Sequence, residues 1–105
     1  MNAKVNATIN LKVEGKKYIV ELYDVDVISD DLLKTLTIDK SGPIEFIFSL
    51  SETGEFNPEL QLRIFTENRK EIFRTAIDNS LSSLNVDKNT DRVEKTTIDF
   101  GVITL

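Results

Sequence analysis

Four aspartates fall within eight residues: Asp24, Asp26, Asp30 and Asp31. Bunched carboxylates are the ligand type a hard cation needs, since calcium takes about 6–8 oxygens at roughly 2.3–2.6 Å. The same residues also suit a plainer role, with Asp24 and Asp26 solvating a loop and Asp30 capping a turn. The spacing lacks the glycine of a helix–loop–helix calcium loop, and no second aspartate-rich loop accompanies it. The four aspartates therefore stand as calcium candidates, with no metal and no cofactor as the expectation. Glu52, Glu55 and Glu59 line a second acidic stretch, Ser51–Glu59. If both loops lie at one end, they form a single acidic pole. Glycoside hydrolysis would need two such acids about 5 or 6.5–9.5 Å apart in a cleft, and a chain of 105 residues leaves little room for one.

The remaining chemistry-bearing side chains are basic. Arg63, Arg69, Lys70 and Arg74 gather where Glu67 and Glu71 interleave with them, which predicts cross-strand ion pairs in preference to a phosphate site. There is no His and no Cys. That removes serine and cysteine triads, thiol redox chemistry and the ordinary zinc, iron and copper sites. No enzymatic activity is expected.

Charge is unevenly spread along the chain, whose formal net charge is −5. Residues 1–23 carry four Lys against two Glu, and residues 24–59 carry five Asp and four Glu against two Lys. Residues 60–105 are balanced. An acidic middle third repels phosphate backbones, so nucleic acid is not the expected partner, whereas a basic protein is attracted. The opening Met1–Asn6 has no apolar run of signal-peptide type. Nothing in the chain approaches the ~18 apolar residues of a membrane span. Membrane insertion is not expected, and cytoplasmic placement is the default.

The elements that must position these groups are strands. Val5, Ala7, Ile9, Leu11 and Val13 alternate with polar residues, the period of a half-buried strand. After the turn Glu14–Lys17, Tyr18–Tyr23 is apolar on both faces and predicts a central strand. Asp24–Asp31 reads as a strand end passing into a loop, with Ser29 or Asp30 capping one helical turn over Asp31–Lys34. Leu36 and Ile38 predict a short strand, stopped by the turn formers Asp39–Pro43. Ile44, Phe46, Phe48 and Leu50 mark the most apolar strand, expected to cross the core. Leu60, Leu62 and Ile64 mark another, and Glu67–Lys70 turns it back into Glu71–Thr75, with Asn68 as the candidate for positive φ. Ile77, Leu81 and Leu84 allow a short helix over Ala76–Leu84, followed by a polar loop to Lys95. Thr97–Leu105 is the last strand, where Gly101 marks a bulge or a close approach. About seven short strands with at most one short helix predict one all-β domain over residues 1–105, an antiparallel β-sandwich. Phe46, Phe48, Phe65, Phe73 and Phe100 are its expected core aromatics.

The chain resembles the transthyretin-like, or prealbumin-like, β-sandwich modules, which include carboxypeptidase regulatory-like domains. The stretches that carry the resemblance are Gly15–Asp26, Asp30–Leu33, Thr37–Gly42, Ile44–Leu50, Asn57–Phe65 and Ile98–Ile103. In order they read as an Asp-x-Asp loop, a threonine–aspartate–glycine turn, an apolar strand, a proline–acid–leucine strand and a terminal strand. Pro43 after the turn glycine and the absence of cysteine are departures from the pattern. The resemblance implies a sandwich and no particular activity. The group's hydroxyisourate hydrolases need histidines, and the related intradiol dioxygenases need histidine and tyrosine around iron.

The resulting expectation is a non-enzymatic module that works through protein–protein contact, as an accessory or assembly component of a larger system. A calcium-dependent ligand- or membrane-binding domain using Asp24–Asp31 is the alternative. Two places suit a partner. Phe56 sits in a polar loop, where it either tucks under the sandwich or forms an exposed anchor. The strand Thr97–Leu105 carries Val102, Ile103 and Leu105 with no charge after Asp99. It either lies inside its own sheet or is completed by a second copy or another protein through strand addition.

Overall fold

In the computed structural model, which describes residues 2–53, 58–81 and 96–105, the alternation seen in the sequence becomes seven strands. These are β1 (Asn2–Asn10), β2 (Tyr18–Asp24), β3 (Asp31–Ile38), β4 (Gly42–Ser49), β5 (Leu60–Thr66), β6 (Glu71–Arg74) and β7 (Thr97–Thr104). A three-stranded sheet in the order β4-β1-β7 packs on a four-stranded sheet in the order β3-β2-β5-β6. The protein is an all-β sandwich. Its only helical element among the described residues is a single 3-10 turn, Leu50–Glu52, closed by a Ser49–Glu52 capping box.

Period-two patterning places one face of each strand in the core. Ala3, Val5, Ala7 and Ile9 point inward from β1, and Ile44, Phe46 and Phe48 from β4. Ile98 and Ile103 join them from β7. The opposing sheet contributes Val20, Leu22, Leu60, Leu62 and Ile64, all fully buried. Leu81 closes the same cluster. Fully burying an aliphatic or aromatic side chain is worth about 1.5–3 kcal/mol, so these two inner faces hold the sheets together.

Several expectations change. β1 and β7 pair in parallel, whereas all other strand pairs are antiparallel. Successive strands alternate in direction, so the first and seventh run the same way and become parallel on meeting in one sheet. No helical turn forms over Asp31–Lys34. Those residues open β3, which pairs with β2 from Asp24↔Asp31 to Tyr18↔Ile38, and the ladder outweighs a single capped turn. β4 crosses the core only with its inner face. It is an edge strand, as Pro43 without an N–H allows. The positive φ of the β5–β6 turn belongs to Arg69 (φ 70°), not Asn68, whose side-chain oxygen instead accepts from Thr66 Oγ1.

Within Ala76–Leu84, residues 76–81 are not helical. Asp78 bridges Leu60 through both backbone groups at 2.8 and 2.9 Å, while Ile77 is exposed. Residues 82–84 and the expected loop to Lys95 lie outside the described residues. Of the five aromatics assigned to the core, Phe46 and Phe48 are enclosed and Phe73 and Phe100 pack half-buried against the cluster, whereas Phe65 is half-buried on the outer face under Arg69.

Candidate functional site

The outer faces of the two sheets differ in how far the chain satisfies itself. On the four-stranded sheet, Glu21 projects outward from central β2 yet is only 3% exposed. Arg69 covers it, donating from both terminal nitrogens to the carboxylate at 3.2 and 3.3 Å. Its guanidinium also lies 4.8 Å above the Phe65 ring. Tyr23 donates its hydroxyl to Glu21 at 2.8 Å. Next to it, Arg63 stacks 4.2 Å above the Tyr23 ring and donates to Gln61 at 2.9 Å and to Asp30 at 2.6 Å. Arg74 forms a two-point pair with Glu71 at 2.7 and 2.8 Å.

The titration behaviour follows from these contacts. Burial, reinforced by Glu21, pushes the Tyr23 phenol above its ordinary value. The Arg63 hydrogen bond holds the Asp30 carboxyl below the usual range, and Arg74 does the same for Glu71. Glu21 holds the Arg69 guanidinium more firmly protonated. The hairpin is thus held by ion pairs but not by the expected cross-strand ones: Arg74–Glu71 lies within β6, Arg63 and Arg69 take their acids from elsewhere in the chain, and Glu67 forms no salt bridge among the described residues. The charged side chains of this face described above are thus stacked, bidentate and mutually paired, while the apolar Leu32 and Ile72 stay exposed beside them.

The three-stranded sheet is different. Its outer surface is built from cross-strand rows in register: Ile47–Lys4–Thr97, Glu45–Asn6–Asp99 and Pro43–Thr8–Val102. Ile47 is 53% exposed and Val102 70%. One salt bridge, Lys4–Glu45 at 3.5 Å, crosses the surface. The Asn6 side-chain oxygen is buried without a hydrogen-bond partner among the described residues. It lies beside a shallow hollow of about 480 Å³ bordered by Thr8, Pro43, Glu45 and Asp99.

β7 forms one edge of this sheet, and among the described residues nothing pairs with its outer side. Lys4 N–H donates to Thr96 C=O and Leu105 N–H to Asn10 C=O, so alternate residues of β7 face β1. The backbone groups of Thr97, Asp99, Val102 and Thr104 consequently point away. A bulge interrupts the ladder between Asn6 and Thr8. There Gly101 takes φ 78°, a conformation that side chains resist, and its N–H is capped by Asp99 Oδ1 at 2.8 Å.

The sequence-derived partner residues separate in this setting. Val102 is a surface residue. Ile103, 3% exposed, belongs to the core, and Leu105 packs half-buried against it. These two can serve a partner only through the strand they anchor. Phe56 lies outside the described residues.

The aspartates also part company. Asp24 is 1% exposed and accepts from Glu59 N–H at 3.2 Å, tying the end of β2 to the start of β5. Asp30 is held by Arg63, while Asp26 and Asp31 face solvent. Among the described residues no three acidic side chains are placed to hold a metal ion, and no helix is long and apolar enough to cross a membrane. Val25 N–H donates to Glu59 C=O at 2.7 Å, so the β2–β3 loop does sit beside the stretch that leads into β5. Glu52 and Glu59 join Asp26 and Asp31 at that end.

Sequence reasoning passed over Glu21 and the pair Val27 and Ile28. Glu21 was detectable as the one charge inside an otherwise apolar central strand. Val27 and Ile28, 100% and 92% exposed, were read merely as a strand running out.

No family model matches the chain, and no curated protein does either. A solved 9R-lipoxygenase from Cyanothece PCC8801 contains a similar fold, with a TM-score of 0.56 and 22% identity over 99% of this chain and 16% of that one. This chain thus spans about a sixth of the lipoxygenase's length, and the likeness is one of fold.

Proposed function

We propose that the chain is a non-enzymatic, transthyretin-like sandwich module that works by protein–protein contact, with the outer side of β7 as its contact edge. The observation that carries this reading is the contrast between the two outer surfaces. On one, the charged side chains are stacked and paired with one another. The other has exposed Ile47 and Val102, an acceptor without a donor among the described residues, and ends in β7, which like the other edge strands β3, β4 and β6 has one flank of outward backbone groups. Edge strands invite pairing unless blunted. The Gly101 bulge, capped by the Asp99 side chain, interrupts only the middle of β7, and among the described residues nothing pairs with the outer backbone groups of Thr97–Asp99 or Val102–Thr104, where an added strand of defined register would sit. The lack of His and Cys supports a binding role in preference to a catalytic one.

The experiment is affinity capture with the intact chain, followed by amide hydrogen exchange on the reconstituted pair. Protection at Thr97, Asp99, Val102 and Thr104 is expected, and Val102→Lys should abolish capture without lowering the melting temperature. Protection confined to the four-stranded sheet would contradict the edge assignment. Turnover of a small-molecule substrate would contradict the class.

A further inference from the structure

Strand direction sorts the loops to two ends. At one end lie the β1–β2 loop, the β3–β4 turn and the β5–β6 turn, joined by Gly15 N–H to Asp39 C=O at 2.9 Å and Leu11 N–H to Ser41 Oγ at 2.8 Å. This end carries Lys12, Lys16, Lys17, Lys40, Arg69 and Lys70 against Glu14, Asp39 and Glu67, an excess of positive charge. At the other end lie the β2–β3 loop and the residues before β5, with Asp26, Asp31, Glu52 and Glu59 exposed. Among the described residues the sandwich therefore has a basic pole and an acidic pole, the latter including Glu52 paired with Lys34 at 3.5 Å, separated by the length of a seven-residue strand, about 23 Å.

Each pole carries an exposed feature, although at the basic pole the Lys16 ammonium also lies 5.8 Å from the centroid of the Tyr18 ring. At the acidic pole, Val27 and Ile28 form the tip of the β2–β3 loop, the two most exposed large apolar side chains among the described residues. The loop is fixed at its base by Val25 N–H to Glu59 C=O at 2.7 Å and by the Asp30–Arg63 pair at 2.6 Å. The Asp26 backbone N–H also reaches the Asp30 carboxylate. An anchored loop presenting two adjacent aliphatic residues loses little freedom on docking, as a preorganised anchor should. At the basic pole, a hollow of about 350 Å³ opens between the β1–β2 loop and the β5–β6 turn, lined by Lys16, Lys17, Thr66, Glu67, Asn68 and Lys70. The hollow is open to solvent, and the lysine methylenes that line it offer apolar surface against which two aliphatic side chains can pack. None of its three lysines forms a salt bridge among the described residues.

We infer that the Val27–Ile28 tip of one copy docks into the Lys16–Lys17–Lys70 hollow of a second copy, so that the chain stacks head to tail. Asp26 and Asp31 then flank the tip where the partner's ammonium groups rim the hollow, and charge complementarity selects the orientation. A lipid surface is the poorer occupant for the tip, because its flanking acids are repelled by anionic headgroups. The contact is heterologous, joining unlike patches, so each added copy leaves both features free at the ends of the stack. It uses neither β7 nor the outer face of the three-stranded sheet, and is independent of the edge contact proposed above.

The test is sedimentation equilibrium over a range of protein concentrations, at low and at high salt. The intact chain should gain average mass with concentration, and the gain should shrink as salt screens the poles. Val27→Asp/Ile28→Asp removes the tip, and Lys16→Glu/Lys70→Glu removes the hollow. All four positions are exposed, so both variants should melt with the intact chain. Each variant alone should be monomeric, with association at least tenfold weaker. Mixed one to one, they should form a dimer that grows no further, since one supplies the hollow and the other the tip. Val102→Lys should stack as the intact chain does. Four results would overturn the inference: a monomeric chain at low salt, a tip or hollow variant that still stacks, a mixture that stays monomeric, or a tip that partitions into phosphatidylcholine vesicles while the chain remains monomeric.

Discussion

Replacing Phe48 by alanine and, separately, its neighbour Ile47 by alanine probes the register of the sandwich at one step along the chain. Phe48 is 2% exposed and stands opposite Ala3 on β1, so its cross-strand neighbour is too small to fill the space its ring leaves. Truncation of a buried phenylalanine costs about 3–5 kcal/mol through lost burial and the residual cavity. At ~2.1 cal/mol/K of unfolding entropy per residue over 105 residues, each kcal/mol lowers the melting temperature by about 4–5 °C. Phe48→Ala should therefore melt about 13–23 °C below the intact chain. Ile47 is 53% exposed on the outer face, where surface substitutions stay within about 0.5 kcal/mol. Ile47→Ala should melt within about 2–3 °C of the intact chain. Thermal unfolding followed by circular dichroism gives both values from the same β-sheet signal. Equal losses, or a larger loss at Ile47, would mean that β4 is packed with the opposite face inward, and the cross-strand rows of the outer surface would fall with it.

Three further outcomes follow from the site electrostatics. Asp30 and Glu71 titrate below their ordinary values of 3.8 and 4.5, so their pairs stabilise the fold above that range and the contribution is lost as pH falls through the lowered values. Both are exposed, so Asp30→Asn should flatten the acid limb of a melting-temperature profile only slightly. Tyr23 titrates above 10.0, so the protonated phenol is favoured in the folded state. Stability should be fully present below pH 10 and decline above it, and Tyr23→Phe should weaken that decline. Millimolar calcium should leave the melting temperature unchanged, because Asp30 is already engaged by Arg63 and Asp24 by the Glu59 N–H just before β5. A rise of several degrees that disappears in Asp24→Asn/Asp26→Asn would show a cation site.

The strands were readable wherever one face is buried and the other wet. Val5–Ala7–Ile9, Ile44–Phe46–Phe48 and Leu60–Leu62–Ile64 alternate for a single reason, the period of the pleat. β3 was under-read because Asp30-Asp31 imitates a helix cap, and only the partner strand decides between cap and ladder. The turn glycine-substitute was misassigned for a related reason. Asn68 tolerates positive φ, but its side chain is more useful to Thr66. The polar layer on the four-stranded sheet was legible as charge and not as pairing. Arg69 has Glu67 and Glu71 within two residues, yet its partner is Glu21, 48 residues away. No local pattern encodes that choice, which depends on β2 and β5 being neighbours in the sheet. The poles were half visible, since the acidic middle third was evident, but their placement at opposite ends follows from topology. Whether the last strand is internal or at an edge was likewise left open, because alternation describes the faces of a strand and says nothing about its flanks.

Amide hydrogen exchange across Thr97–Leu105 in the free protein, read residue by residue by NMR, tests the central claim most directly. If β7 pairs only with β1, Ile98, Phe100, Ile103 and Leu105 should exchange slowly, because their N–H groups point into the ladder. Thr97, Asp99, Val102 and Thr104 should exchange far faster, with Gly101 intermediate because Asp99 holds its N–H. Uniform slow exchange through all nine residues would mean that a further segment already covers the outer side of β7, and the edge would be unavailable to any partner.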